Sequence, residues 1–184
     1  MADPEFLLLG DALWLEFVNT ARPGADTLPD AASFLRWRRA VQVDHGRGAE
    51  SFPQVRKFRD QLVALAAALE ARRIPPASVI ESINSRIAGL EGREQLVRIG
   101  GAWRMRFAPG RSPQALEAIA HSVAVTLATP PAAIRLCANR GCGLYLLDDS
   151  PNQSRRWCSR ARCGQGTRIE RRRNARLTPV VSEG

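Results

Sequence analysis

Cys137-Ala138-Asn139-Arg140-Gly141-Cys142 and Cys158-Ser159-Arg160-Ala161-Arg162-Cys163 repeat one spacing, a cysteine pair enclosing four residues. Fifteen residues separate the pairs, and the chain has no other cysteine. Two close pairs joined by a short loop can bring four thiolates to the corners of a tetrahedron, the geometry of a structural zinc ion. Two disulfides, or four buried free thiols, would use the same residues, so the compartment has to decide. Met1-Ala2-Asp3-Pro4-Glu5 is acidic where a secretory signal is basic, and the apolar run Phe6 to Leu9 is too short for a signal core. No segment approaches the roughly 18 apolar residues of a membrane span. The expected location is therefore the cytoplasm, where thiols stay reduced and four cysteines read as one structural zinc. With every position filled by protein, such a zinc has no open site for catalysis.

The chain has 184 residues, enough for one ordinary domain and a small module, and its 45% hydrophobic content suits a globular core. Its formal net charge of +9 is unevenly spread. Residues 1–134 have a net charge of +2, whereas residues 135–184 carry 11 arginines against four acids, a net of +7. The cysteine module is the basic end, and a polyanion is the partner this asymmetry suggests. Lys57 is the only lysine, so the choice of arginine reflects a GC-rich, bacterial-looking composition. The clustering carries the signal.

Along the chain the apolar period predicts helices first. Asp11 to Ala21 holds Leu13, Trp14, Phe17 and Val18 at helical spacing, ended by Arg22-Pro23-Gly24. Asp30 can cap a second helix carrying Phe34, Leu35 and Trp37. Ser51, with Pro53 just inside, opens a third through Val55, Phe58, Leu62, Leu65 and Leu69, broken by Pro75-Pro76. Val79, Ile80, Ile83 and Ile87 mark a fourth. The period then falls to 2: Glu94–Ile99 and Ala102–Phe107 flank Gly100-Gly101, a hairpin whose Trp103, Met105 and Phe107 face should be buried. Ser112-Pro113 starts a fifth helix through Leu116, Ile119, Ala120 and Val123, and Thr129-Pro130-Pro131 ends it. The expected fold class is α+β: a mostly helical domain with a small antiparallel sheet over residues 1–131, then a zinc module over 132–184.

Within the module, Ile134–Leu136 reads as a strand leading into Cys137. Leu144–Leu147 and Ser154–Trp157 can pair across the polar turn Asp148-Asp149-Ser150-Pro151-Asn152, and Thr167–Leu177 has helical character. Knuckle, hairpin, then a helix carrying the last ligand is the order of a treble clef. A module this small buries too little apolar area to stand alone, and zinc supplies on the order of 10–16 kcal/mol to its folding. On the last helix Arg168, Arg171, Arg172 and Arg176 fall within about 140° of one another, and Arg155 and Arg156 could extend the stripe. Their mutual repulsion would be relieved by an array of phosphates. Trp157 is expected over the zinc site and Tyr145 in a core.

The run Cys137-Ala138-Asn139-Arg140-Gly141-Cys142, with Tyr145, Asp148, Ser150, Arg155-Arg156-Trp157-Cys158-Ser159 and Cys163-Gly164, resembles the CGNR zinc-finger family. Leu15-Glu16-Phe17-Val18-Asn19-Thr20, followed by Asp26, Leu28, Leu35, Trp37 and Phe58-Arg59-Asp60, is similar to the ABATE domain that accompanies that finger. The resemblances cover nearly the whole chain. They imply a stress-linked bacterial transcription regulator in which a treble-clef finger grips DNA and the larger domain senses something. One departure stands out: the family's Cys-Gly-Asn-Arg run reads Cys163-Gly164-Gln165-Gly166 here. The cysteine is intact, and the asparagine and arginine are missing.

The first domain offers little chemistry. His45 and His121 have no metal-spaced partner, no phosphate loop is present, and no nucleophile stands beside a base, so no catalytic residues are assigned. His121 reads as a core histidine. Asn19, polar in an apolar helix, reads as a helix-end cap or, with Arg59, as part of a pocket for a small-molecule effector. An exposed apolar helix face pairing two chains into a homodimer is the other role open to this domain. A zinc-stabilised protein- or RNA-contact module is the alternative to DNA binding.

Overall fold

In a computed structural model of the chain, the structure describes residues 6–9, 11–22, 24–43, 50–129 and 133–164. Five helices form the body: α1 (Leu13–Val18), α2 (Ala31–Ala40), α3 (Phe52–Glu70), α4 (Ala77–Ile87) and α5 (Ala115–Ala128). Three two-stranded antiparallel ribbons join them: β1 (Ala21–Arg22) with β2 (Ala25–Asp26), β3 (Gly92–Ile99) with β4 (Ala102–Pro109), and β5 (Ala133–Leu136) with β6 (Tyr145–Asp148). The fold class is α+β, as the change of period implies.

Local sequence explains most boundaries. Asp30 caps α2: its carboxylate accepts from the Ser33 amide at 2.7 Å, and the Ser33 hydroxyl accepts from the Asp30 amide at 3.2 Å. Ser51 opens α3, where Pro53 in the first turn loses no hydrogen bond. That helix ends at Glu70, before the prolines, with Arg72 in the left-handed region at φ 54°. Helix α1 is shorter than its apolar pattern, because the chain turns back at once into β1–β2 through Gly24 at φ 76°. Helix α5 starts at Ala115, later than Ser112-Pro113, where Gln114 and Glu117 cap each other.

The core lies where α1 meets α3 and α5. Trp14 and Phe17 of α1, Trp37 of α2, Phe58 and Leu62 of α3 and Ile119 of α5 are all fully buried. Phe17 and Trp37 stack at a tilt with ring centroids 5.2 Å apart, and the Trp14 indole donates to the Thr126 hydroxyl at 3.0 Å. Leu35, expected on the apolar face of α2, lies outside this core and is exposed. No helix among the described residues is long and apolar enough to cross a membrane.

The β3–β4 hairpin departs from expectation. All eight residue pairs are in register, and Gly100 and Gly101 both have positive φ, as a type I′ turn requires. Its apolar face is nevertheless bare: Leu96 is 61% exposed, Trp103 66% and Met105 63%. Only the base packs, where the Phe107 ring lies 5.1 Å from the ring of a half-buried His121 on α5. Period-2 alternation predicts a strand and says nothing about what covers its face.

Burial separates the outcomes of two otherwise matched truncations. Leu62→Ala should cost about 2–5 kcal/mol in a denaturant melt, whereas Leu96→Ala should stay within about 0.5 kcal/mol. Equal effects would contradict this packing.

Candidate metal centre and its attachment

The first cysteine pair is built by a strand and a tight return. Strand β5 delivers Cys137, whose amide donates to the Leu144 carbonyl at 2.8 Å and so closes the loop. Inside it, the Cys142 amide donates to the Asn139 carbonyl and the Gly141 amide to the Asn139 side chain. Gly143, at φ 67°, reverses the chain into β6, a conformation that disfavours a side chain. In the second pair Cys158 precedes a π-helical turn over Arg160–Gly164 that carries Cys163, whose amide donates to the Ser159 carbonyl at 2.9 Å.

The four sulfurs converge: all lie within 4.8 Å of one another. Cys142 to Cys158 and Cys158 to Cys163 are each 3.6 Å apart. A disulfide needs about 2.05 Å. Zinc–sulfur bonds of about 2.3 Å define a tetrahedron with edges of about 3.8 Å, close to these two separations. Cys137, Cys158 and Cys163 are buried and Cys142 is half-buried. Burial pushes the Cys158 and Cys142 thiols up. For Cys137 burial is outweighed by backbone hydrogen bonds at Cys158 and Asn139, and that thiol is lowered. Four clustered thiols of this kind shed their protons together only beside a cation. The donor set fits one structural zinc, and Trp157 packs on the same cluster with Leu144 and Leu146.

One part of the expected module is arranged differently. Strand β6 pairs with β5, and residues 154–157 form no strand. The buried Asp148 carboxylate explains this, since it accepts from the Arg155 amide at 3.1 Å, from the Ser150 amide and hydroxyl, and from Arg135 Nε at 2.8 Å. An amide claimed by a side chain is lost to a ladder. Backbone to backbone, the returning chain meets the first cysteine loop where the Ala138 amide donates to the Arg156 carbonyl. The helix expected over Thr167–Leu177, with Arg168, Arg171, Arg172 and Arg176, lies outside the described residues.

Residues 11–130 match the ABATE family, described as "putative stress-induced transcription regulator", and residues 134–176 match the CGNR zinc finger. The chain belongs to the ABATE family. No curated protein matches it. The CGNR match over the four-sulfur cluster is also what assigns the metal as zinc.

The finger is fastened to the ABATE domain by polar side chains. Asn19 caps the end of α1, and its amide accepts from the Tyr145 amide at 2.8 Å and donates to the Tyr145 carbonyl at 2.9 Å. Asp11 accepts from the Leu147 amide at 3.3 Å and from Arg155 Nη1 at 2.6 Å. Arg155 also donates to the carbonyls of Leu147, Trp157 and Cys158. Arg155 is half-buried, and its donors hold the second cysteine pair to the ABATE domain. Arg156 beside it is exposed, with its guanidinium 5.3 Å from the Trp157 ring centre. Arg59, 3% exposed, forks onto Asp26 with both contacts at 2.8 Å and touches the Thr20 hydroxyl. This holds the Asp26 carboxyl below its usual range. Asn19 and Arg59 are thus bonded to neighbouring protein groups, and Asn19 also lines an open cavity of about 400 Å³ with Arg22, Val63 and Tyr145. Sequence reasoning missed Asp11 as an anchor, because an acid beside a helix start looks like a solvated cap.

The purified protein should carry one equivalent of zinc, and Cys142→Ser should lose both the metal and the fold of the finger. Zinc binding must expel thiol protons, so affinity should be higher at pH 8 than at pH 6 in a chelator competition. Arg155→Ala should speed zinc extraction by a chelator, with Arg93→Ala as an unchanged control. Equal extraction rates would remove Arg155 from the metal's support.

Proposed function

We propose that this protein is a bacterial, cytoplasmic transcription regulator that binds DNA through its zinc-stabilised finger. The observation that carries this reading is the concentration of positive charge around the metal centre. Arg140, Arg156, Arg160 and Arg162 are exposed beside the cysteines, and Arg168, Arg171, Arg172 and Arg176 follow in sequence. Arginine forks can pair with phosphate oxygens or with a guanine edge. The family description supports a regulatory role. A cysteine-filled metal site leaves zinc no open position, so its role in this reading is to shape the finger, and the role of the protein is binding rather than catalysis.

The ABATE domain in this reading senses a small molecule or pairs two chains. One finger alone should reach only non-specific affinity, with a dissociation constant of roughly 10⁻⁴–10⁻⁶ M at physiological salt. Two fingers on adjacent sites make sequence selection feasible. Gln165-Gly166, where relatives have asparagine and arginine, leaves Arg168 as the nearest cation beyond Gly166.

Fluorescence anisotropy of the zinc-loaded protein against mixed duplex DNA at three salt concentrations tests the reading. Affinity should fall steeply with salt, and alanine at Arg168, Arg171 and Arg172 together should flatten the log–log slope by about 2.7, near 0.9 per phosphate contact. No binding at low salt would overturn the proposal in favour of a protein- or RNA-contact module.

A further inference from the structure

The β3–β4 hairpin has two faces, and the tip of neither is used by the fold. Cross-strand register places Arg93, Gln95 and Val97 with Arg104, Arg106 and Ala108 on one face. That face holds three arginines and no acid. Neither Arg104 nor Arg106 forms an ion pair among the described residues. The opposite face carries Leu96, Arg98, Trp103 and Met105, all exposed, and its one acid, Glu94, sits toward the base opposite Phe107. Burial of a core explains neither set.

We infer that this hairpin is a second DNA-contacting element, inserted tip-first into a groove of the duplex bound by the finger; this rests on the DNA-binding reading above. A surface that meets only one face would leave either the cations or the apolar group unused. A groove meets both faces at once, and the major groove, about 12 Å wide, admits a two-stranded ribbon. The arginines then face phosphates. Trp103 and Met105 supply apolar contact with base edges in the major groove, the thymine methyl above all. Gly100-Gly101 at the tip adds no side chain to widen the ribbon.

Placement supports a shared ligand. An open cleft of about 940 Å³ beside β4 is bordered by Arg104 and Arg106 and also by Glu94 and Asp149, with Thr126 and Thr129 of the α5 end in its wall. The same two threonines border a groove of about 630 Å³ that reaches Arg72 and the finger's Arg156. The hairpin and finger arginines therefore flank one end of α5, and a duplex lying across that end can touch both.

The test is salt-dependent anisotropy on the full zinc-loaded chain. Three proteins are compared: the parent, Arg104→Ala with Arg106→Ala, and Trp103→Ala. All three side chains are exposed, so thermal midpoints should match and confirm intact folding. The double variant should lose about tenfold in affinity at 0.1 M salt and show a slope shallower by about 1.8, for two lost phosphate contacts. Trp103→Ala should weaken binding several-fold at unchanged slope. A parent that binds while both variants titrate identically to it would overturn the hairpin assignment and leave the finger's role standing. A parent that does not bind would overturn both.

Discussion

A guanidinium between two parts of one chain holds this structure together. Arg155 reaches Asp11 on one side and the carbonyls of Leu147, Trp157 and Cys158 on the other. Zinc can gather four sulfurs, but it cannot fix where the resulting knot sits. That is set by Arg155 and by the Asn19 amide on Tyr145. The interior also continues across the junction, where Ile134, Tyr145 and Leu147 pack on the apolar core of the ABATE domain. Any shift of α1 therefore moves β6, the strand that follows the first cysteine pair. A metal site that elsewhere could be a pendant module is here part of one body with the helices.

Buried Asp148 plays a comparable part inside the finger. Burial alone would raise its carboxyl, but hydrogen bonds from Ser150 and Arg135 outweigh that and hold it low. A charge kept in so dry a place needs every one of these donors. The turn from Asp148 to Gln153 takes its shape from that need, with Gln153 at φ 45° passing its carbonyl to Arg135.

Much of this was legible in the residues. Cysteine spacing predicted the metal site, because four ligands at fixed intervals leave few arrangements. The Asp30 and Ser51 caps and the Gly100-Gly101 turn were equally readable, since each depends on chemistry within four residues. What the sequence hid depends on distance along the chain. Asp11 meets Arg155 across 144 residues, and nothing near either one announces the other. The pairing of β6 with β5 rather than with residues 154–157 turned on a buried carboxylate. Leu96, Trp103 and Met105 have the alternation of a half-buried strand and lack the partner, because the pattern encodes a face and not its cover.

The hydrogen bonds around β6 have one more effect. On the side away from β5, this strand offers the amide and carbonyl of Tyr145 and of Leu147. Asn19 takes both groups of Tyr145, Asp11 takes the Leu147 amide, and Arg155 takes its carbonyl. A bare strand margin is a template on which another chain can add itself, the first step toward domain swapping or fibres. Here three side chains, two of them from the ABATE domain, occupy every bonding position along it. The β6 margin of the small sheet that supports the metal site is thereby closed to strand addition, and the N-terminal domain supplies two of the three side chains that close it.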